Sequence, residues 1–114
     1  MLFLFFDLQE ITKDKNFITV VLCLAAAPAL AMDEQKLAQE SGCMTCHALD
    51  KKLIGPAYKA VAAKSKNDPS AETLLIRKVK EGGAGIWGQV AMPPNSPRVS
   101  DADIQTLVKW ILAQ

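Results

Sequence analysis

Cys43-Met44-Thr45-Cys46-His47 constrains this chain more than any other stretch. It reads C-x-x-C-H, the attachment motif of a c-type haem. Two thiols three residues apart project from about one helical turn. Each would form a thioether with one haem vinyl group, leaving His47 to point at the iron. C-x-x-C by itself also suits thioredoxin-like redox pairs and zinc sites. The first needs a βαβ setting, and no run here shows the period-two alternation of a strand. A structural zinc site takes four ligands, whereas the motif offers two thiols and the chain's single histidine.

The flanking sequence says where such chemistry would take place. Phe17 to Ala27 is an uncharged, mostly apolar run with Lys13 and Lys15 before it and Ala29-Leu30-Ala31 after it. That is the pattern of a secretory signal peptide, so residues 1–31 are expected to be removed and residues 32–114 to form the mature domain. The run is short for a membrane span of about 20 residues; an uncleaved anchor is the competing reading. Asp7 and Glu10 stand where a signal peptide carries basic residues, as a start codon assigned too far upstream would explain. Leu22 precedes Cys23 where a lipoprotein signal has a small residue, so Cys23 is read as part of the discarded segment.

The mature chain has the length of one small domain and keeps only the two motif cysteines, so no disulfide remains. Chains this small commonly need a staple, and a covalently held haem would supply one. The formal net charge of the full chain is +1, and no basic stripe interleaves with aromatics, which argues against nucleic-acid binding.

Helical patterns dominate. A first helix is expected over Asp33 to Ser41, with Asp33 and Glu34 at its positive end, and Gly42 then permits a close turn into a distorted helical motif. Pro56 suits the first turn of a helix reaching about Lys64, with Tyr58, Val61 and Ala62 on its apolar face. Asp68 or Ser70 would cap a helix over Ala71 to Glu81 with Leu74, Leu75 and Val79 inward. Gly82, Gly83, Gly85 and Gly88 form a loop able to approach a ligand; without a preceding strand or a Gly-Lys-Ser/Thr ending it is no phosphate loop. Ser100, with Asp103 three residues on, would start a last helix whose packed face is Ile104, Leu107, Val108 and Ile111. The fold class is all-α: about four short helices around a cofactor.

A haem iron has two axial positions. With one histidine, bis-His ligation within a monomer is impossible. Met1 goes with the signal peptide, Met32 lies at the new N-terminus, and Met44 sits between the two anchoring cysteines. Met92 is far enough along the chain to come around the ring, and Pro93-Pro94 stiffens its loop. The competing reading of any Met is a flexible core filler. His/Met ligation raises the potential and leaves no open position, which suits passing single electrons rather than catalysis.

These features together resemble the small bacterial class I cytochromes c, of the cytochrome c-551 type. The resemblance covers residues 33–114 and rests on Gly42-Cys43-x-x-Cys46-His47, Gly55-Pro56-Ala57-Tyr58-Lys59, Gly85-Ile86-Trp87-Gly88, Met92-Pro93-Pro94-Asn95 and the terminal Lys109-Trp110. It implies the cytochrome c fold around one covalent haem c. It also implies that the Pro56 carbonyl holds His47, that Asn95 bonds near the Met92 sulfur, and that Trp87 and Arg77 contact a haem propionate. Members often carry an aromatic in the first helix, where this chain has Leu37 and Ala38, so that contact is expected to be looser.

The expected function is a soluble, monomeric periplasmic electron carrier, not an enzyme, with no small-molecule substrate and no membrane insertion after signal cleavage. It would dock transiently with redox proteins, taking electrons from a membrane donor such as cytochrome bc1 and passing them to a terminal reductase or oxidase. Lysines 51, 52, 59, 64, 66, 78 and 80 would steer an acidic partner, or simply keep the surface soluble, since acidic residues intersperse them. The rival readings are an open-site haem enzyme or gas sensor, and a haem subunit of a larger complex.

Overall fold

The computed structural model describes residues 27–114, with side chains from Glu34 onward. The chain divides into two compact units, Met1–Asp33 and Glu34–Gln114. The first helix starts in the former, and the core lies within the latter. The apolar run from Phe17, the acidic residues near the start and Cys23 lie outside the described residues.

Among the described residues four α-helices follow one another, α1 (Ala27–Glu40), α2 (Tyr58–Ser65), α3 (Ala71–Glu81) and α4 (Asp101–Leu112), with a single 3₁₀ turn at Cys43–Thr45. Among the described residues the one extended pairing is an isolated antiparallel bridge between Gly83 and Met92. The all-α class is as expected. Helix α1 begins six residues ahead of the expected Asp33, because Ala29, Leu30 and Ala31 are good helix formers and Pro28 falls in a first turn, where its missing N–H costs nothing. Asp33 and Glu34 are therefore inside this helix and not in its first turn.

Helix α4 organises the core, packing against both α2 and α3. Its predicted face is the observed one: Ile104, Leu107, Val108 and Ile111 are all buried. The Ser100 Oγ accepts from the Asp103 backbone N–H at 3.1 Å, the capping contact read from the sequence. Ala38 of α1 is fully buried and joins Val99, Ile104, Leu107 and Val108 in one cluster. A small side chain thus occupies the position where an aromatic was the expected form. Tyr58, Val61 and Ile111 make a second cluster, and Met44 and Trp110 pack against both. Met44 is thereby spent on the core.

Two details of the expected helices differ. Ser70 precedes α3 but does not cap it; its Oγ and its N–H both donate to Asp68 Oδ1, at 2.6 and 2.8 Å. These two bonds lower the Asp68 pKa below the ordinary aspartate value. Leu74 is exposed, and Ile76 packs against the core beside Leu75 and Val79. The inward face of α3 is rotated from the expected one because Leu74, Leu75 and Ile76 are consecutive, so apolar periodicity alone leaves its phase open.

Each cluster is small, five buried residues in one and three in the other. Neither approaches the apolar burial that stabilises a domain of this size. Haem-free protein is therefore expected to lack a sharp cooperative thermal transition by circular dichroism. A native-like cooperative melt would contradict this.

Candidate functional site

Gly42 adopts φ +79°, a left-handed conformation that turns the chain from the end of α1 into the motif. The 3₁₀ turn then carries Cys43, and the His47 N–H bonds back to the Cys43 carbonyl at 3.1 Å. Backbone bonds clamp the motif to the next segment: Gly55 N–H donates to Cys46 O (2.8 Å), Tyr58 N–H to Ala48 O and Lys59 N–H to Leu49 O (both 3.0 Å). Pro56 precedes α2 by two residues instead of sitting in its first turn. Its carbonyl is consequently free to face the motif, and His47 Nδ1 lies 2.8 Å from it. A carbonyl only accepts, so Nδ1 is the donor, and the other ring nitrogen, Nε2, is the one left to face a metal.

The imidazole is confined on its other sides. Its ring stacks on Tyr58 with centroids 5.1 Å apart and planes 17° from parallel, and Tyr58 meets Trp110 edge-on. A Cβ on Gly55 would lie 2.8 Å from Nδ1 and 2.9 Å from Nε2 of the same ring. Glycine at 55 is thus a steric requirement of His47. Both motif cysteines are half-buried, and they form no disulfide with each other. Burial pushes the Cys43 thiol up, against the opposing influence of the Tyr58 hydroxyl and the Arg98 charge. Burial likewise pushes the Tyr58 hydroxyl up.

A cleft of about 240 Å³ opens beside this turn. Water needs only about 10–15 Å³ on that measure, so this is a binding space and not a packing defect. Cys43, Cys46, His47 and Pro56 line it together with Trp87 and Met92. Leu75, Lys78 and Val79 of α3 add a further part of the lining. Ile54, Ile86 and Val90, 60–70 % exposed, also belong to it. Two cysteines and an oriented imidazole in a largely apolar cleft, with Met92 among the lining residues, fit a covalently attached haem.

Met92 reaches the cleft through backbone contacts. Gly83 N–H donates to Met92 O at 2.9 Å, and Met92 N–H donates to Gly83 O at 3.0 Å. Gly82, at φ +72°, is packed so closely that a Cβ would strike the Met92 carbonyl and the Pro93–Pro94 peptide. The close approach expected of the glycine cluster is thus made to the Met92 loop. Gly85 and Gly88 have no neighbour within 4 Å where a Cβ would stand.

Two expected site residues stand outside the lining. Arg77 is exposed; the cleft face of α3 runs Leu75, Lys78, Val79, so the cation it presents is Lys78. Asn95 is buried, but its Nδ2 donates to Val79 O (3.1 Å) and Pro93 O (3.2 Å) while its Oδ1 accepts from Arg98. Trp87 lies at the cleft with Lys64 Nζ 5.3 Å from its ring centroid, a cation–π contact. Sequence reasoning missed Lys78, the stacking role of Tyr58, and Arg98. The i+3 spacing from Leu75 would have found the first, and the aromatic right after Gly55-Pro56-Ala57 the second. No pattern marks an arginine in a Ser-Pro loop.

Replacing Gly55 with Ala is expected to destabilise the haem-loaded protein by about 1–3 kcal/mol, the range for overpacking a filled site. Guanidinium unfolding measures it, and an unchanged midpoint would show that the imidazole has room to spare.

The family model "Cytochrome c" matches residues 32–114. Cytochrome c-551 of Pseudomonas aeruginosa is 48% identical over 91 residues, covering 80% of this chain and 86% of that protein. Cytochrome c-551 of Allochromatium vinosum is 51% identical over 89 residues, covering 78% and 93%. The crystal structure of Nitrosomonas europaea cytochrome c552 superposes with a TM-score of 0.66 at 46% identity, covering 69% of this chain and 96% of that one.

Proposed function

The chain belongs to the cytochrome c family, as a small class I protein of the c-551 type, and on that premise we propose that it is a periplasmic electron carrier with a His47/Met92-ligated haem. It is an electron-transfer cytochrome with one covalently attached haem c, and not an enzyme. The further reading rests above all on the joint placement of His47 and Met92 in the lining of one apolar cleft.

When bound, the haem supplies an iron that gains and loses one electron. The chain's own residues do the rest. The Cys43 and Cys46 thiols would be the attachment points. His47, its Nδ1–H held by the Pro56 carbonyl, would present Nε2 to the iron in a fixed orientation, and that hydrogen bond makes the imidazole the stronger donor. Met92 would offer its sulfur from a loop tied by backbone bonds to the end of α3. A soft thioether favours the reduced state and raises the potential. The apolar lining excludes water, which limits the reorganisation that accompanies each change of charge.

Lys78 is the α3 cation in the lining, so it and Trp87 would face the haem carboxylates, in place of the Arg77 expected from the sequence. Asn95 would act on Met92 through its loop, since its amide is committed to Val79, Pro93 and Arg98. The exposed side chains of Ile54, Ile86 and Val90 beside the cleft form an apolar rim. Such a rim suits brief, weak docking with redox partners, with a membrane donor such as cytochrome bc1 on one side and a terminal reductase or oxidase on the other.

Export supports the location. Among the described residues no helix is long and apolar enough to cross a membrane, and the apolar run from Phe17 reads as a signal peptide. Cleavage after Ala31 would leave Asp33 and Glu34 in the first turn of the shortened α1, where the helix dipole favours carboxylates. Residues 32–114 would then form the mature cytochrome domain.

Met92→Ala is expected to abolish the near-infrared sulfur-to-Fe(III) charge-transfer band of the oxidised protein while the haem stays covalently attached. A band that persists in the variant would overturn Met92 as the ligand.

A further inference from the structure

We propose that Arg98 is a positioning residue whose guanidinium straps the Met92 loop to the end of α1, at the entry to the haem-attachment turn. Its Nη1 donates to the Ser41 carbonyl at 3.0 Å, and its Nη2 donates to Asn95 Oδ1 at 2.7 Å. Ser41 stands two residues before Cys43, and Asn95 three after Met92. One side chain thus joins two segments far apart in sequence, each carrying half of the proposed site.

Both acceptors suit the role. Ser41 follows the last residue of α1, where helix carbonyls lack an intrahelical partner and the dipole end is negative. No backbone N–H among the described residues bonds to that carbonyl. Among the described residues Ser41 and Asn95 are the two buried polar ones, so an unmet acceptor at either is costly. At Asn95 the strap also fixes the amide. Oδ1 must face the guanidinium, which leaves Nδ2 to the carbonyls of Val79 and Pro93. The Asn95 N–H donates to Val79 O as well, and the Val99 N–H donates to Asn95 O. Asn95 is therefore the hub that seats Pro93, next to Met92, against α3, and Arg98 connects that hub to α1. A lysine has no planar fork to span both acceptors.

The consequence for the iron rests on Met92 being its ligand; the strap itself does not. Loss of the strap raises the population in which the Met92 loop has swung open. The same opening governs two measurable quantities: amide hydrogen exchange in the loop and the apparent affinity of an added ligand for the vacated iron position.

The test compares wild-type, R98A and R98K holoprotein. R98A is expected to speed exchange at the Met92 and Asn95 amides at least about tenfold, since two hydrogen bonds are lost and one alone is worth that factor. The Leu107 and Val108 amides of α4 should stay at their wild-type rates, and R98K should recover part of the protection. Imidazole should bind oxidised R98A tighter by the same factor. Loop exchange equal to wild type, or raised equally in α4, overturns the strap. Faster loop exchange with unchanged imidazole affinity overturns its effect on the iron. A wild-type protein without the sulfur band would overturn the Met92 reading, and the exchange comparison would still decide the strap.

Discussion

The bond from His47 Nδ1 to the Pro56 carbonyl is the contact on which the site depends. An imidazole free to rotate would offer an iron either nitrogen in any orientation. With Nδ1 bound to a carbonyl, the tautomer is set and one nitrogen is left for a metal. The bond exists because α2 starts at Tyr58, two residues past Pro56, which leaves that carbonyl facing the motif. It also exists because residue 55 has no Cβ to push the ring away.

The same economy holds on the Met92 side. The Met92 backbone pairs with Gly83, and the close approach to Gly82 leaves no room for a larger residue there. The proline pair then limits how far the loop can flex. Position at both ends of the proposed coordination axis is fixed by backbone bonds and missing side chains, while the core clusters stay small. A domain built this way relies on its cofactor for much of its interior. That dependence links fold to function: the group that carries the electron also completes the packing.

Legibility in the sequence followed the range of the interactions. The C-x-x-C-H motif, the Ser100 cap and the α4 face are local, and the structure has them where the spacing put them. The gathering of Cys43, Cys46, His47, Pro56, Trp87 and Met92 about one cleft was also readable, because motif and loop chemistry pointed to a shared group. The phase of α3 was not, since three consecutive apolar residues blur a helical period; Arg77, expected at a haem propionate, stands outside the cleft lining, and Lys78 lies in it. Of the two residues that could cap α3, Asp68 or Ser70, the side chain that accepts is that of Asp68, from the Ser70 N–H and hydroxyl, and Ser70 makes no capping bond. Asn95 and Arg98 form a network that closes only when distant segments meet, and no spacing rule encodes such a meeting.

The central claim is that Met92 and His47 close on one haem. Proton NMR of the reduced protein tests it most directly, because the ring current of the haem acts strongly on any methyl group held over its face. Ligation by Met92 predicts a methyl resonance shifted far upfield of the ordinary aliphatic range and assigned by its loss in a Met92 variant. A Met92 methyl at its ordinary position in the folded, haem-loaded protein would contradict that claim.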